Sequence, residues 1–381
     1  MIPPGSTIGI LGGGQLGRMT ALAARRMGYG IRVFDPAPCG PASAVADAEV
    51  NGAYDEAAAL ETFAKGLDVV TFEFENVLPD AAEILTRNAP VRPSPSVLTV
   101  CRNREREKTF LADNGYPCPR FGFASSANEL ESAATEIGFP CVVKTVEGGY
   151  DGKGQCRMTA AGEAEEVWNT LGASRVIVEQ WVDFVLELSV IAFRNPSGQV
   201  GSFPAAENIH RNHILDASLV PGRFSPQVAR DAGIMAQAIA EDLQLEGLIA
   251  VEFFLSRDGA LLVNELAPRP HNSGHYSFDA CLTSQFEQHV RAVCDLPLGS
   301  CDLLRPVVMV NLLGDLWNGF PPNWSPILSH PSAKLHLYGK KEARPGRKMG
   351  HFCVLADTLD NALADANKLR EALGLPVIAS H

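Results

Sequence analysis

The stretch Val251-Glu252-Phe253-Phe254-Leu255-Ser256-Arg257-Asp258-Gly259-Ala260-Leu261-Leu262-Val263-Asn264-Glu265 sets two apolar runs around a polar turn. It reads as a β-hairpin, with Arg257-Asp258-Gly259 as the turn and one acid inside each strand. A carboxylate withdrawn from water needs a proton, a cation or a metal. Two acids on paired strands, with Asn264 as a neutral neighbour, fit magnesium held beside substrate phosphates. A pair of salt bridges with Arg257 or Arg269 is the purely structural alternative.

Downstream, Leu266-Ala267-Pro268-Arg269-Pro270-His271-Asn272-Ser273-Gly274-His275 leaves the hairpin as a polar loop. His271 and His275 have the spacing of a helical zinc pair, but Pro270 and Gly274 oppose a helix there. The loop reads instead as substrate-facing, and Arg269 suits charge developing on an acyl phosphate. Upstream, the strand Cys141-Val142-Val143-Lys144 leads into Glu147-Gly148-Gly149-Tyr150-Asp151-Gly152-Lys153-Gly154-Gln155. Such a glycine-rich flap offers backbone N–H groups to phosphate oxygens, and Lys144 stands at its base. No G-K-[ST] closes it, so it is not a Walker A loop. Glu179-Gln180-Trp181-Val182 ends the next buried strand and suits an adenine amine and ribose hydroxyls.

The N-terminal hundred residues alternate strand and helix: Thr7 to Leu11, a helix from Gln15 to Met27, Ile31 to Asp35, then Val69 to Phe74. That alternation implies a parallel sheet. Gly12, Gly14 and Gly17, with Asp35 ending the next strand, satisfy the dinucleotide fingerprint. An NAD-dependent dehydrogenase, a phosphate-bearing substrate and a structural tight turn all fit that segment. Pro90 to Pro95 reads as an extended linker. Near the other end, Tyr338 to His351 gathers Lys340, Lys341, Arg344, Arg347 and Lys348, either a solvated basic turn or a pocket for a monoester phosphate.

Composition bounds these readings. A chain of 381 residues with 46% hydrophobic and 20% charged residues reads as a two- or three-domain globular protein. A net charge of −12 argues against nucleic-acid and anionic-membrane partners. No apolar run is long enough to span a bilayer, and Met1-Ile2-Pro3-Pro4 lacks a basic n-region, which points to the cytoplasm. Nine scattered cysteines, none in a C-x-x-C pair, read as small core residues in a reducing compartment.

Together these motifs resemble the ATP-grasp superfamily, and within it the N5-carboxyaminoimidazole ribonucleotide synthetases, ATP-dependent carboxylases of purine biosynthesis. The resemblance runs through Gly12 to Met19, Phe72 to Asn76, the Gly149 to Gln155 flap, Asn264 to His275 and Arg344 to His351. It implies an α/β chain built on an ATP-grasp fold, with an N-terminal Rossmann-like parallel-sheet domain (1–98), a central domain (99–302) and a small C-terminal domain (303–381). It implies ATP contacts from Arg104, Lys144, Gly149, Tyr150, Asp151, Gly152, Lys153, Gly154, Gln155, Glu179, Gln180, Trp181, Val182, Glu187, His210, Asn264 and Glu265. Arg102 and Arg106 compete with Arg104 in that charged segment. Magnesium (Mg2+) falls to Glu252 and Glu265. Aminoimidazole ribonucleotide falls to Gln15, Glu75, Asn76, Tyr150, Asp151, Lys153, Asn272, Ser273, Lys340 and Arg347, with Arg269, Asn272 and Lys340 in catalytic roles. The implied reaction phosphorylates bicarbonate to carboxyphosphate and carboxylates the nucleotide amine, in a homodimer. A formate-dependent glycinamide ribonucleotide transformylase is the nearest alternative.

Overall fold

A computed structural model of the chain describes residues 1–75, 79–149 and 153–379. Its strands fall into three sheets in chain order. The first contains β1 (Thr7–Leu11), β2 (Gly30–Phe34), β3 (Ala48–Val50) and β4 (Val69–Phe72), all parallel, in the order β3-β2-β1-β4. β1 and β4 are apolar on both faces and almost wholly buried, as a parallel strand between helices must be. The segment expected as a linker does more than connect. Val70 N–H donates to the Pro90 carbonyl and Arg92 N–H to the Val70 carbonyl, at 2.9 and 2.8 Å, so Val91 pairs beside β4 and is buried.

The second sheet holds β5 (Phe121–Ala124), β6 (Cys141–Thr145), β7 (Gln155–Met158) and β8 (Val176–Gln180), antiparallel in the order β5-β8-β6-β7. The third is nine-stranded: β9 (Phe184–Arg194), β10 (Val200–Ser202), β11 (Ala206–Arg211), β12 (Ile214–Val220), β13 (Gly247–Ser256), β14 (Leu261–Ala267), β15 (Val307–Leu313), β16 (Ala333–Leu337) and β17 (Lys348–Leu355). Its order is β14-β13-β9-β11-β12-β15-β17-β16, with β10 on β9. β12 pairs with β15 from Ala217↔Val310 to Val220↔Val307, so the last eighty or so residues extend the central sheet instead of forming a separate one.

Helices clamp these sheets. The Pro226–Asp242 helix turns Ala232, Ala236 and Ile239 onto β9 and β13, and the Leu359–Ala372 helix turns Ala362 and Ala366 onto β15 and β17. The Gln285–Val293 helix packs against the Gln15–Arg26 helix, and Val290, Val293 and Cys294 complete the first sheet's core. A buried Thr71 hydroxyl meets His289 Nε2 at 2.8 Å in the same interface. All nine cysteines are free, five of them buried, while Cys39 is exposed. No helix among the described residues is long and apolar enough to cross a membrane.

The chain's end is strapped down by arginines. Fully buried Arg370 pairs with both oxygens of Asp216 at 3.1 and 2.8 Å and donates to the Pro376 carbonyl. Arg211 and Arg223 hold the Val377 and Ala379 carbonyls, each at 2.7 Å. Arg370→Met should therefore lower the unfolding free energy by about 1–3 kcal/mol, because it leaves Asp216 with only the partly exposed Arg211 and the Pro376 carbonyl without its donor. Denaturant unfolding checks this; a loss under about 1 kcal/mol would contradict it.

Candidate active site

β13 and β14 bring the two hairpin acids opposite each other: Glu252 pairs with Glu265, while Phe253 pairs with Val263. Asn264 is thus the extra residue of a bulge, a device that re-aims neighbouring side chains. The turn closes with Gly259 at φ +86°, where a side chain would be strained. Arg257 and Arg269 do not pair with either hairpin acid. Arg257 pairs with Asp183 at the surface and Arg269 with Glu75.

The two acids differ from the expected pair of buried carboxylates. Glu252 is partly enclosed and its Oε1 lies 3.1 Å from His271 Nε2. Glu265 is exposed to the cleft, and among the described residues no hydrogen bond or ion pair engages its carboxylate. Enclosure by the cleft walls and then the Glu252 charge push the Glu265 carboxyl upward. Burial works the same way on Glu252, but the His271 hydrogen bond overcomes it and holds that carboxyl low. Two neighbouring acids, one with no protein partner, suit a divalent cation. Among the described residues no cluster of three or more His, Cys, Asp or Glu forms a closed metal cage.

Facing the hairpin is a cationic wall from the second sheet. Lys144 Nζ donates to Glu179 Oε2 at 2.7 Å, and Glu179 Oε1 is buried without a partner. Burial would raise the Glu179 carboxyl, but Lys108 and Lys144 pull it down to about 2. Arg104 donates to the carbonyls of Thr145 and Gly149, both at 3.1 Å, and so grips the base of the flap. Arg102 instead pairs with Glu147, and Arg106 is exposed. Gln155 pairs with Lys144 across β6 and β7, and the Gly154 carbonyl accepts from Thr145 N–H at 2.9 Å. Lys153 follows the flap tip. Tyr150, Asp151 and Gly152, like Asn76, lie outside the described residues. Trp181 is 42% exposed beneath the Arg157 guanidinium, with Gln180 and Val182 beside it. Glu187 accepts from His210 at 2.8 Å; burial opposes the imidazolium, but this partner raises the His210 pKa.

The glycine turn of the first sheet holds an anion of its own. The Glu73 carboxylate accepts from Gly14 N–H and, at 2.7 Å, from Gly17 N–H, while Asp35 accepts from Gly13 N–H at 2.6 Å. The N–H groups that a dinucleotide pyrophosphate would use are therefore occupied. A Cβ on Gly12 or Gly14 would come within 2.3 or 2.5 Å of Glu73, so these glycines make room for that side chain. Lys340 reaches the same corner, donating to Gln15 Oε1 at 2.5 Å and to the Lys348 carbonyl at 2.6 Å. Burial, then the Arg347 charge, lower its ammonium to about 8 against the pull of Glu73. Arg347 itself donates to the Glu342 carbonyl at 2.9 Å, and Arg344 pairs with Glu342 in solvent.

The loop after β14 lies over the large sheet. Residues Asn272–Gly274 form one 3-10 turn where no helix was expected, because His271 caps it by accepting from Ser273 N–H. Asn272 is buried and exchanges two 3.0 Å hydrogen bonds with Asn311, while Ser273 is buried against Ser189. Neither side chain opens directly into the cleft. Sequence reading also passed over Glu107 and Lys108, buried on the Arg104–Asp113 helix. Lys108 holds the Asn264 carbonyl at 2.7 Å and Glu107 accepts from Leu266 N–H at 3.0 Å, so together they brace β14. Burial pushes the Glu107 carboxyl up to about 8, with Glu265 adding to the push and Lys108 opposing it. Their shared helix face with Leu111 was the available signal.

Three family descriptions match in order along the chain: a ribonucleotide synthetase preATP-grasp domain over residues 5–102, an ATP-grasp domain over 109–286, and a phosphoribosylaminoimidazole carboxylase C-terminal domain over 307–365. The chain is 46% identical to the N5-carboxyaminoimidazole ribonucleotide synthase of Bacillus subtilis over 360 residues, covering 94% of each. It superposes on the N5-carboxyaminoimidazole ribonucleotide synthetase of Thermus thermophilus with a TM-score of 0.90, at 39% identity and covering 98% of this chain and 100% of that one. An N5-carboxyaminoimidazole synthase from Aspergillus clavatus, in complex with ADP and 5-aminoimidazole ribonucleotide, gives 0.88 at 30% identity, covering 97% and 98%.

The Lys340 environment gives a direct check. In the ligand-free protein, a carbon-13 methyl label on Lys340 should titrate with a midpoint near 8. A midpoint near the free-lysine value of about 10.4 would show that the ammonium is not enclosed.

Proposed function

The chain belongs to the N5-carboxyaminoimidazole ribonucleotide synthase family, and from that premise we propose how its cleft performs an ATP-dependent carboxylation. The enzyme is an ATP-dependent ligase of the ATP-grasp fold that carboxylates 5-aminoimidazole ribonucleotide to its N5-carboxyamino form in purine biosynthesis. The observation that carries the reading is the ordered, whole-length match: all three segments are present in one chain. The carboxylase description of residues 307–365 favours carboxylation over formate transfer.

The finer assignments are ours. ATP lies between the second and third sheets, its adenine toward Glu179 to Val182 and its phosphates under the flap at Gly149 to Gln155. Arg104 and Lys144 neutralise phosphate charge from the flap side. Glu252 and Glu265 would hold magnesium, which when bound screens phosphate charge and orients the transferred group. Bicarbonate is the acid activated, and its oxygen attacks the terminal phosphorus of ATP to give carboxyphosphate and ADP. Arg269, anchored by Glu75, faces the charge that develops on that acid. Carboxyphosphate hydrolyses in water, so the flap must close before transfer. The nucleotide amine then takes the carboxyl carbon and phosphate leaves. Lys340 and Gln15 mark the nucleotide's corner, with Arg347 beside them for its phosphate. Asn272 and Ser273 act from below the surface, fixing the loop that carries Arg269.

The division into 1–98, 99–302 and 303–381 follows these roles. A cytoplasmic location suits nine unpaired thiols. A homodimer would cover the adjacent exposed side chains of Leu282 and Leu304, which are 65% and 58% exposed.

ADP release should require both bicarbonate and 5-aminoimidazole ribonucleotide; equal release with formate and a glycinamide ribonucleotide would overturn the reading. Glu265→Gln should lower magnesium-supported turnover at least about 100-fold with the fold intact. Near-normal turnover would remove Glu265 from the metal site.

A further inference from the structure

One face of the large sheet carries a continuous run of polar side chains, of which Ser218, Asn208 and Ser189 have no part in the reaction above. Ser218 Oγ donates to Asn208 Oδ1 at 2.9 Å, and Asn208 Nδ2 donates to Ser189 Oγ at 2.8 Å. Ser189 Oγ donates to Ser273 Oγ at 2.7 Å, and Ser273 Oγ lies 2.9 Å from His271 Nδ1. His271 Nε2 then meets Glu252 Oε1 at 3.1 Å. The run crosses β12, β11 and β9, climbs into the loop and returns to β13, where Glu252 is the direct cross-strand partner of Ser189. Ser218, Asn208, Ser189 and Ser273 are all at least 95% buried, so water does not compete for these bonds.

The run has one direction. Ser273 Oγ accepts from Ser189, which leaves its single hydrogen available to His271 Nδ1. A second donor settles the point independently. Ser273 backbone N–H also points at His271 Nδ1, at 3.3 Å, and a backbone amide cannot reverse its role. Nδ1 is therefore an acceptor and the ring hydrogen sits on Nε2, facing Glu252. The ring's own backbone is pinned too: His271 N–H donates to Gln285 Oε1 at 2.9 Å and its carbonyl accepts from Gln285 Nε2 at 2.8 Å.

We propose that Ser218, Asn208, Ser189 and Ser273 form a directional relay that keeps His271 Nδ1 an acceptor and sets the ring's Nε2–H toward Glu252, making His271 the positioning residue that aims the Glu252 carboxylate at the cation. The Nε2–H donor fixes the direction of Oε1 and leaves Oε2 for the metal. The proposal rests on Glu252 as a magnesium ligand.

Long-range proton–nitrogen correlation spectra of the full chain, labelled with nitrogen-15 histidine and assigned with His271→Gln, read the tautomer without turnover. The expected result near neutral pH is a proton on Nε2 of His271; a proton on Nδ1, alone or together with Nε2, overturns the relay. Ser189→Ala, which leaves every proposed ligand in place, should redistribute that tautomer and weaken magnesium binding about tenfold by calorimetry in the presence of ADP. His271→Gln keeps an N–H near the Nε2 position and should lose less affinity than His271→Leu; equal losses contradict the donor role. If Glu252→Gln binds magnesium like the parent, the metal assignment itself fails. If Glu252→Gln weakens binding while Ser189→Ala changes neither tautomer nor affinity, only the relay fails.

Discussion

The pairing of β12 with β15 is the constraint on which the site depends. It makes the C-terminal strands a continuation of the central sheet, so the loop after β16 projects back over the first sheet rather than into solvent. Lys340 then meets Gln15 across 325 residues of sequence, while the docking of the Gln285–Val293 helix on the Gln15–Arg26 helix lets Arg269 meet Glu75 across 194. Such long loops are expensive to close unless a cooperative sheet closes many contacts at once. Three remote segments become one cleft because a row of backbone hydrogen bonds and that helix docking fix their relative positions.

Within that cleft the ligand-free protein satisfies most of its charges internally. Glu179 takes Lys144, Glu187 takes His210, Glu75 takes Arg269, and Glu73 takes the amides of the glycine turn. A charge left unpaired in an enclosed site would cost more than these pairs do. Glu265 departs from the pattern: its carboxylate faces the cleft, and among the described residues no partner takes it. The same logic explains the glycine turn. Its geometry belongs to dinucleotide sites, but its anion is supplied by the chain, and the function of the turn becomes to hold the Gln15 end of its helix in place.

Strands and helices with regular apolar patterns were legible in the sequence, including the Glu252/Glu265 hairpin, β6, β8, β9 and the C-terminal helix. So was the place of Lys144 and Glu179 at the ends of β6 and β8, because terminal strand residues carry their meaning locally. What was not legible depended on partners far away. Nothing near Pro90 announces that Val91 will pair with Val70, and nothing near Asn272 announces Asn311. The fingerprint glycines pointed outward to a ligand because Glu73 lies 59 residues beyond Gly14, outside any local pattern. His271 looked like a loop histidine until the sheet set Ser189 and Glu252 side by side.

The fate of one oxygen atom tests most directly whether bicarbonate is phosphorylated in this cleft, as proposed above. With bicarbonate labelled by oxygen-18, phosphorylation forms a bond between a bicarbonate oxygen and the terminal phosphorus that survives carboxyl transfer. The phosphate released in the presence of 5-aminoimidazole ribonucleotide should then carry label from bicarbonate, as read by mass spectrometry. Unlabelled phosphate, accompanied by normal formation of the carboxylated nucleotide, would contradict it.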